Sequence, residues 1–428
     1  ECWDSFAKAG INRWTHHHHK SYGIALSLYE NNLATNTTVG DPIADTYAIL
    51  TRRNSSILLL ADGVNWGPRS RLPARSAVRA TMNFINNHLF FANTLHQNDP
   101  FRQQQQQQQQ HRSFTTHDLF RIMMRSFDAA QEFILRKKGS MTTLCCVLVA
   151  KLKESSSSAS SIWVACTMSI GDSTAYVFNR ERGVFELTYG SRSLESDRDM
   201  RNVGGALGHV YGIKPDVSNL NYSLMYIKET DIVFLVSDGI SDNLDPVVSQ
   251  TAQRRRQQEE QLNGGDATAE KENPIQTNNK KSSKVNRSAS QSHKYFSSKS
   301  KSRDAQLDTK MDDLKLADDQ TVSLTTLPEM SPYERYICSL GHMNEVLLRN
   351  KALNDTISAQ ETCAILIEHV MKVTAEKREM LEQGLLDASR LSSDEERSNF
   401  QAKLRERVQK MRGKLDHASI VAYEVGSS

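Results

Sequence analysis

The 428-residue sequence predicts a mixed α/β domain that is interrupted by two polar inserts. Short apolar runs rich in β-branched residues are typical of strands, and longer stretches repeat their apolar residues with the period of a helix. Two further segments are polar and of low complexity, as expected of inserts that join no core. The formal net charge of +3 argues neither for nor against nucleic acid or an anionic membrane as a partner.

The first part of the chain predicts a strand pair followed by two helices. Residues 1–40 are predicted to be irregular, and GDPIADTYAIL and SSILLLADG then predict two strands joined by a turn. SAVRATMNFINNHLF predicts a helix whose apolar face consists of Val78, Met82, Ile85 and Leu89. A second helix is predicted to begin at Thr115, three residues before Asp118 as in a capping box, with an apolar stripe of Leu119, Met123, Ala130 and Ile134.

Strands and a long helical region are predicted in the second part of the chain. Four apolar runs predict strands: TTLCCVLVAKL, SIWVACTMSI, STAYVFN and IVFLVSDG. Helical periodicity extends from Tyr333 to about Arg412. DHASIVAYEV then predicts a final strand that an aspartate introduces.

Composition predicts the two inserts and the cellular setting. Residues 95–114 contain a glutamine tract, which we interpret as an expanded loop, and residues 249–327 are predicted to be disordered. The six cysteines show no metal-type spacing, which favours a reducing cytoplasmic or nuclear compartment. No apolar run reaches the length of a transmembrane helix, so no membrane partner is expected.

Aspartates stand at several predicted strand ends. Asp62 and Asp238 each follow an apolar run and precede a glycine, Asp172 lies in a Gly-Asp turn, Asp416 opens the last strand, and Asp242 lies four residues beyond Asp238. Taken singly, each Asp-Gly pair predicts a turn. Several carboxylates brought together would repel one another unless cations neutralise them, and oxygen ligands suit Mg²⁺ or Mn²⁺. Two such ions about 3.5–4 Å apart would lower the pKa of a bridging water and direct it at phosphorus.

The order of these segments resembles the type 2C family of metal-dependent protein serine/threonine phosphatases. ADGVNWG is similar to the D-G-x-G-G motif of that family, MSIGDSTAYVF to N-x-G-D-S-R-A, and GGALGHVYGIKPDV to R-A-L-G-D followed by K-P-x-V. GSMTTL, VSDGISDNL and LDHASIVAYEV resemble the G-S/T-T, S-D-G-L-W-D and D-N-x-T segments. The resemblance covers residues 41–248 and 331–426, which we predict to form one domain.

The resemblance implies a four-layer α-β-β-α sandwich of two mainly antiparallel sheets flanked by helix pairs. It implies that Asp62, the Gly63 carbonyl, Asp238 and Asp416 hold two Mg²⁺ or Mn²⁺ ions, and that Asp172 and Asp242 join Asp238 at a weaker third position. Asp45 matches the early acidic motif that supports the metal waters. The implied reaction is hydrolysis of phosphoserine or phosphothreonine in a phosphoprotein, by a monomer that needs no cysteine nucleophile and no nucleic acid.

The sequence also departs from the family pattern around this site. TVGDPIAD lacks the phosphate-binding arginine, for which Arg52, Arg53 and Arg69 are the candidates. Residues that differ from the family pattern are Ala44, Val64, Asn65, Trp66 and His209. These departures favour an alternative, a catalytically impaired pseudophosphatase that acts as a docking or regulatory module. A third interpretation is a generic α/β domain whose Asp-Gly pairs are only turns.

Overall fold

Two five-stranded sheets organise the part of the chain that the computed structural model describes. The described residues are 19–33, 35, 37–90, 114–153, 161–191, 203–255, 327–349 and 357–426. The strands, in chain order, are β1 (Ser21–Ser27), β2 (Asn31–Asn32), β3 (Thr37–Thr38), β4 (Thr46–Arg52), β5 (Ser55–Ala61), β6 (Met141–Thr142), β7 (Leu144–Lys151), β8 (Trp163–Ile170), β9 (Thr174–Asn179), β10 (Gly183–Glu186), β11 (Ala206–Tyr211), β12 (Lys214–Asp216), β13 (Asn221–Ile227), β14 (Ile232–Val236), β15 (Gln253–Arg254), β16 (Glu329–Met330) and β17 (His417–Glu424). The α-helices are α1 (Pro68–Phe90), α2 (Thr116–Arg136), α3 (Asp238–Ser241), α4 (Pro332–Arg349), α5 (Ala359–Ser389) and α6 (Asp394–Gln409).

The strand order confirms two antiparallel sheets. The first sheet has the order β13-β8-β7-β5-β4 and the second has the order β1-β17-β14-β9-β10. Every neighbouring pair within these two sheets is antiparallel. A smaller sheet, β12-β11-β6, extends from the first sheet near the end of β5.

The central strands are continuous apolar runs because one face of each packs on the other sheet and the other face packs on helices. In β5, Leu58 and Leu60 point into the core between the two sheets, where Tyr423 of β17 also lies. The alternate residues, Ile57 and Leu59, pack against α1 and α2 on the outer face. This alternation follows from the two-residue period of a strand. Complete burial of each such side chain contributes about 1.5–3 kcal/mol.

Helices cover the outer face of each sheet and complete the predicted four layers. α1 and α2 pack on the first sheet, and α4 and α5 pack on the second. α2 begins with the predicted capping box, in which Asp118 N donates to Thr115 Oγ1 at 3.2 Å and Thr115 N donates to Asp118 Oδ2 at 3.1 Å. α1 begins at Pro68, eight residues before the predicted start, because proline is well suited to the first helical position.

The structure corrects the prediction that residues 1–40 are irregular. β1 pairs with β17 along its whole length, from Ser21 opposite Tyr423 to Ser27 opposite His417. All seven residues of β1 are half-buried, as is common in an edge strand, and its alternate residues Tyr22, Ile24 and Leu26 pack on one face of the sheet. The predicted helical region from Tyr333 to Arg412 consists of α4, α5 and α6, and no residue of α6 is buried.

Most of both predicted inserts lies outside the described residues, in 91–113 and 256–326. The beginning of the second insert is structured, because β15 pairs with β16 in a parallel bridge, Gln253 opposite Glu329. The chain is therefore paired on both sides of this insert. None of the helices in the described ranges is long and apolar enough to span a bilayer.

Candidate metal centre

Antiparallel pairing brings the aspartate-bearing strand ends together. In the first sheet the end of β5 lies beside the start of β7, which lies beside the end of β8. In the second sheet Val236, the last residue of β14, pairs with Thr174 at the start of β9 and with Ile420 near the start of β17. Residues 171–173 carry the chain from β8 to β9. All of these ends therefore meet at one end of the sandwich.

Three carboxylates converge there. One oxygen each of Asp62, Asp172 and Asp238 lies within 4.8 Å of the other two. Asp172 and Asp238 are buried, with 5% and 6% of their surfaces exposed, and Asp62 is half-buried. An all-oxygen donor set of this kind suits a hard divalent cation such as Mg²⁺ or Mn²⁺. The side chains therefore fit the metal that the sequence predicts.

Two threonines fix the position of Asp62. Asp62 N donates to Thr143 Oγ1 at 2.9 Å, and the Asp62 carbonyl accepts from Thr142 Oγ1 at 2.8 Å and from Thr143 N at 2.9 Å. The Thr143 hydroxyl also lies 2.9 Å from the hydroxyl of Ser173, which follows Asp172. The GSMTTL segment therefore connects the Asp62 strand end to the turn that carries Asp172.

Two glycines permit the close backbone approach that the site requires. A Cβ atom on Gly63 would overlap the Ser70 carbonyl oxygen in the first turn of α1. A Cβ atom on Gly239 would overlap the His417 carbonyl oxygen at the start of β17. The repeated Asp-Gly pair is therefore explained by packing as well as by chemistry, because a side chain would force Gly63 away from α1 and Gly239 away from β17.

Lys414 lies among the remaining carboxylates. Its Nζ contacts Asp238, and it is 2.9 Å from Asp242 Oδ2 and 3.0 Å from Asp416 Oδ2. Burial lowers the pKa of Lys414, but the charges of Asp242, Asp238 and Asp416 outweigh this effect and raise the pKa well above its usual value. The three carboxylates therefore favour the charged form of Lys414.

Asp45 is fully buried and close enough to Asp62 for its charge to raise the pKa of that carboxyl group. Its segment is tied to β17, because Ala44 N donates to His417 Nδ1 at 3.4 Å and His417 Nε2 donates to the Gly40 carbonyl at 2.9 Å. Burial raises the pKa of Asp45 to about 6, although His417 and the Ser419 hydroxyl lower it in part. Asp45 therefore adds a buried charge beside the converging strand ends.

Burial and mutual repulsion raise the pKa of the central carboxyl groups. For Asp62, burial is the largest cause, followed by the charges of Asp45 and Asp238. For Asp238, burial is again the largest, followed by Asp416, while Lys414 lowers the pKa. Without further positive charge these groups favour protonation. A bound divalent cation would keep them ionised at neutral pH.

The structure separates the three arginine candidates. Arg52 lies at the far end of β4, about 20 Å along the strand from Thr46, where it donates to Asn86 Oδ1 at 2.8 Å. Arg53 follows it in the hairpin turn, so both residues lie at the end of β4 that is remote from Asp45 and Thr46. Arg69 lies in the first turn of α1, beside Ser70, whose hydroxyl donates to the Val64 carbonyl at 2.7 Å.

The rim of the site carries exposed apolar side chains. Trp66 is 56% exposed in the loop between β5 and α1. The β11–β12 hairpin attaches beside the site, since Leu207 pairs with Thr142, and it exposes Tyr211 and Ile213. His209 is also exposed and contacts the Gly212 carbonyl through Nδ1 at 2.9 Å.

Sequence reasoning selected the carboxylates but missed Lys414. The structure brings Asp62, Asp172 and Asp238 together and places Asp242 and Asp416 around the Lys414 ammonium. Lys414 precedes Asp416 by two residues in a polar segment, where lysine is normally solvated. The place of Lys414 in the site is visible only in the three-dimensional structure, where a turn brings this segment beside α3.

Comparison with known proteins decides the family. No family model matches the chain. The chain is 31% identical to the PP2C-like domain-containing protein CG9801 of Drosophila melanogaster, and the similarity covers 98% of this chain. This chain carries a type 2C-like domain. It spans 62% of the length of the Drosophila protein.

Solved structures similar to this type 2C-like domain include bacterial phosphatases. The serine/threonine phosphatase of S. agalactiae shares 12% identity over 52% of this chain and 81% of its own, with a TM-score of 0.31. The SiaA-PP2C domain of Pseudomonas aeruginosa shares 9% identity over 95% of this chain and 85% of its own, with a TM-score of 0.32. The four-layer fold described above rests on the strand order of this chain alone.

Proposed function

We propose that the type 2C-like domain hydrolyses phosphoserine and phosphothreonine in proteins and depends on Mg²⁺ or Mn²⁺. The observation that carries this proposal is the convergence of Asp62, Asp172 and Asp238 within 4.8 Å at three strand ends. A domain without a cation would gain stability by replacing at least one of these buried carboxylates, because burial and repulsion destabilise all of them together.

We assign the residues of the site three roles: binding the metal ion, positioning its ligands and contacting the substrate protein. Asp62, Asp172 and Asp238 would hold a divalent ion, which when bound supplies Lewis acidity toward a phosphoryl oxygen and a water. Thr142 and Thr143 position the Asp62 backbone, so the ligand geometry is set before any ion binds. The exposed hairpin beside the site, with Tyr211 and Ile213, offers an apolar surface for the substrate protein.

The described cysteines do not support a covalent route. Cys145, Cys146 and Cys363 are buried, and burial raises the pKa of each thiol above its usual value. Burial also raises the pKa of Cys166 to about 11. Because the thiolate is the nucleophile, such cysteines are inert at neutral pH. Direct attack of water on the phosphoryl group, without a cysteine nucleophile, therefore agrees best with the burial and raised pKa values of these thiols.

One observation favours the alternative, a pseudophosphatase that acts as a docking module. Lys414 supplies a positive charge to Asp238, Asp242 and Asp416, which the family resemblance assigns to metal ions. A chain that neutralises part of its centre in this way can keep the fold with fewer ions. The phosphatase and the docking module can be distinguished by whether the chain releases phosphate.

The test is release of phosphate from a phosphothreonine peptide by the full chain, with and without Mn²⁺. The variants are Asp62→Asn and Asp238→Asn, and Asp231→Asn is the matched control. Asp231 is a buried carboxylate that precedes β14, at the opposite end of that strand from Asp238. We expect activity that requires Mn²⁺, disappears in the first two variants and persists in the control. No release by the wild-type chain, although it binds Mn²⁺, would support the docking module instead.

A further inference from the structure

The carboxylate of Asp238 faces two different positive centres. Its Oδ2 contacts the Lys414 ammonium. Its Oδ1 is buried and has no hydrogen-bond partner in the described part of the chain. Asp238 is also one of the three residues whose oxygens converge with those of Asp62 and Asp172. The same side chain therefore joins the Lys414 cluster (Asp238, Asp242, Asp416 and Lys414) to the converging set (Asp62, Asp172 and Asp238).

The backbone of Lys414 is held in place by the buried side chain of Asn243. Asn243 Nδ2 donates to the Lys414 carbonyl at 2.9 Å and to the Gly239 carbonyl at 2.7 Å, and Lys414 N donates to Asn243 Oδ1 at 2.8 Å. These bonds use every donor of the Asn243 amide. They fix the segment that enters β17 directly against the short helix α3, which begins at Asp238.

The preceding residue directs the lysine inward. Gly413 has a φ of +85°, in the left-handed region that favours glycine. Its N–H donates to the Val248 carbonyl at 2.8 Å, and its carbonyl accepts from Lys377 Nζ. The turn is thus anchored on both sides. These contacts fix the backbone of Lys414 beside α3, within reach of the three carboxylates that its ammonium contacts.

The ammonium takes up the oxygens that a second ion would need. It contacts one oxygen each of Asp238, Asp242 and Asp416, and the Lys414 side chain is only 22% exposed. An ammonium has three N–H groups, so three carboxylate contacts satisfy it completely. A divalent ion at the same place would have to displace the Lys414 ammonium from these three carboxylates.

We propose that Lys414 replaces a metal ion, so that this centre binds one divalent cation instead of two. The bound ion uses Asp62, Asp172 and Asp238, and Lys414 neutralises Asp242 and Asp416 from inside the protein. This inference rests on the metal dependence in the proposed function, and it goes further by fixing the number of ions and the residue that sets it.

The test counts bound Mn²⁺ per chain by electron paramagnetic resonance and calorimetry on the whole 428-residue chain. We expect one ion in the wild-type chain and two in Lys414→Met, which keeps most of the length of the side chain but removes its charge. Lys414→Arg retains a cation and should still bind one ion. Lys410→Met is the matched control, because Lys410 forms an exposed ion pair with Glu406 at 2.9 Å, and it should bind one ion.

Other ion counts would overturn the inference as follows. Two ions in the wild-type chain would show that metal displaces Lys414, which overturns this inference but leaves metal dependence standing. No ion in the wild-type chain would overturn both proposals. One ion in Lys414→Met would also overturn this inference, provided that its circular dichroism spectrum matches that of the wild type. If Lys414→Met does not fold, a second ion in Lys414→Gln would support the inference and its absence would refute it.

Discussion

The Thr143 hydroxyl lies 2.9 Å from the Ser173 hydroxyl and joins the two sheets at the candidate metal centre. Thr143 precedes β7 in the first sheet, and Ser173 precedes β9 in the second. The same Thr143 oxygen accepts a hydrogen bond from Asp62 N at 2.9 Å. The relative position of Asp62 and Asp172 therefore depends on one threonine side chain.

Removal of this hydroxyl should weaken metal binding. Thr143→Val keeps the shape of the side chain but leaves Asp62 N and the Ser173 hydroxyl without this partner. We expect a loss of about 1–3 kcal/mol in the free energy of unfolding and about tenfold weaker Mn²⁺ binding. Urea denaturation and calorimetry measure the two effects.

The matched control is Thr167→Val in β8. The Thr167 hydroxyl is buried and has no hydrogen-bond partner in the described ranges, so its loss should leave stability unchanged or increase it. Equal losses of Mn²⁺ affinity in both variants would contradict the role assigned to Thr143.

Titration of Asp45 should make the metal-free protein less stable as the pH rises from 4 to 6. Burial raises the pKa of Asp45 to about 6 in the folded state, whereas the unfolded value is about 3.9. The folded state therefore binds this proton more tightly. Its contribution is present below about pH 4 and is lost as the pH rises through 6, by about 3 kcal/mol.

Asp45→Asn should remove this part of the pH dependence. In the presence of a chelator, the variant should be more stable than the wild type at pH 7 and should show a smaller change in stability between pH 4 and pH 6. Urea denaturation across this pH range gives both quantities. An unchanged slope would show that Asp45 is not the group that titrates.

Arg69 should contribute to phosphate binding, and Arg52 should not. Arg69 is next to Ser70, which contacts the Val64 carbonyl in the loop after Asp62, whereas Arg52 is fixed at the far end of β4. Loss of a charged hydrogen bond lowers kcat/KM roughly ten- to hundredfold. Arg69→Met should show this loss and Arg52→Met should show none. Equal activity in both variants would exclude Arg69.

Alkylation of the native chain should leave hydrolysis unchanged. Cys338 is the one half-buried thiol among the five described cysteines, and it lies on α4 at the outer layer. Iodoacetamide should modify it, while buried thiols react only after unfolding. Mass spectrometry locates the modified residues, and Cys338→Ser is the control. A large loss of activity after alkylation would indicate a thiol in the reaction.

Strands with two buried faces were predictable because their apolar residues leave no alternative to a sheet interior. β5, β7, β8, β14 and β17 are of this kind. β1 was missed although Tyr22, Ile24 and Leu26 alternate with small residues and pack on one face of the second sheet, because the run is short and lies in a polar segment. The end of β4 shows why distance cannot be judged from sequence alone, since Arg52 follows Asp45 by seven residues yet lies about 20 Å along the strand from the site.

The candidate site likewise contains residues that the sequence predicts and one that it does not. Asp62, Asp172 and Asp238 could be selected from the sequence because a carboxylate at the end of a buried strand costs free energy to bury. Each of these patterns is also visible within a few consecutive residues. Lys414 could not be selected, because its contacts depend on the Gly413 turn and on Asn243, which lies far away in sequence. The predicted domain limits and the monomeric state remain predictions.

The most direct test of the candidate metal centre is thermal unfolding of the chain with and without millimolar Mn²⁺. Binding to the folded state alone at one hundred times Kd adds about 2.7 kcal/mol, which should raise the Tm by roughly 4–5 °C. We expect this rise for the wild type and for Asp231→Asn, and none for Asp62→Asn or Asp238→Asn. An equal rise in all four proteins, or none in the wild type, would contradict a metal centre at these strand ends.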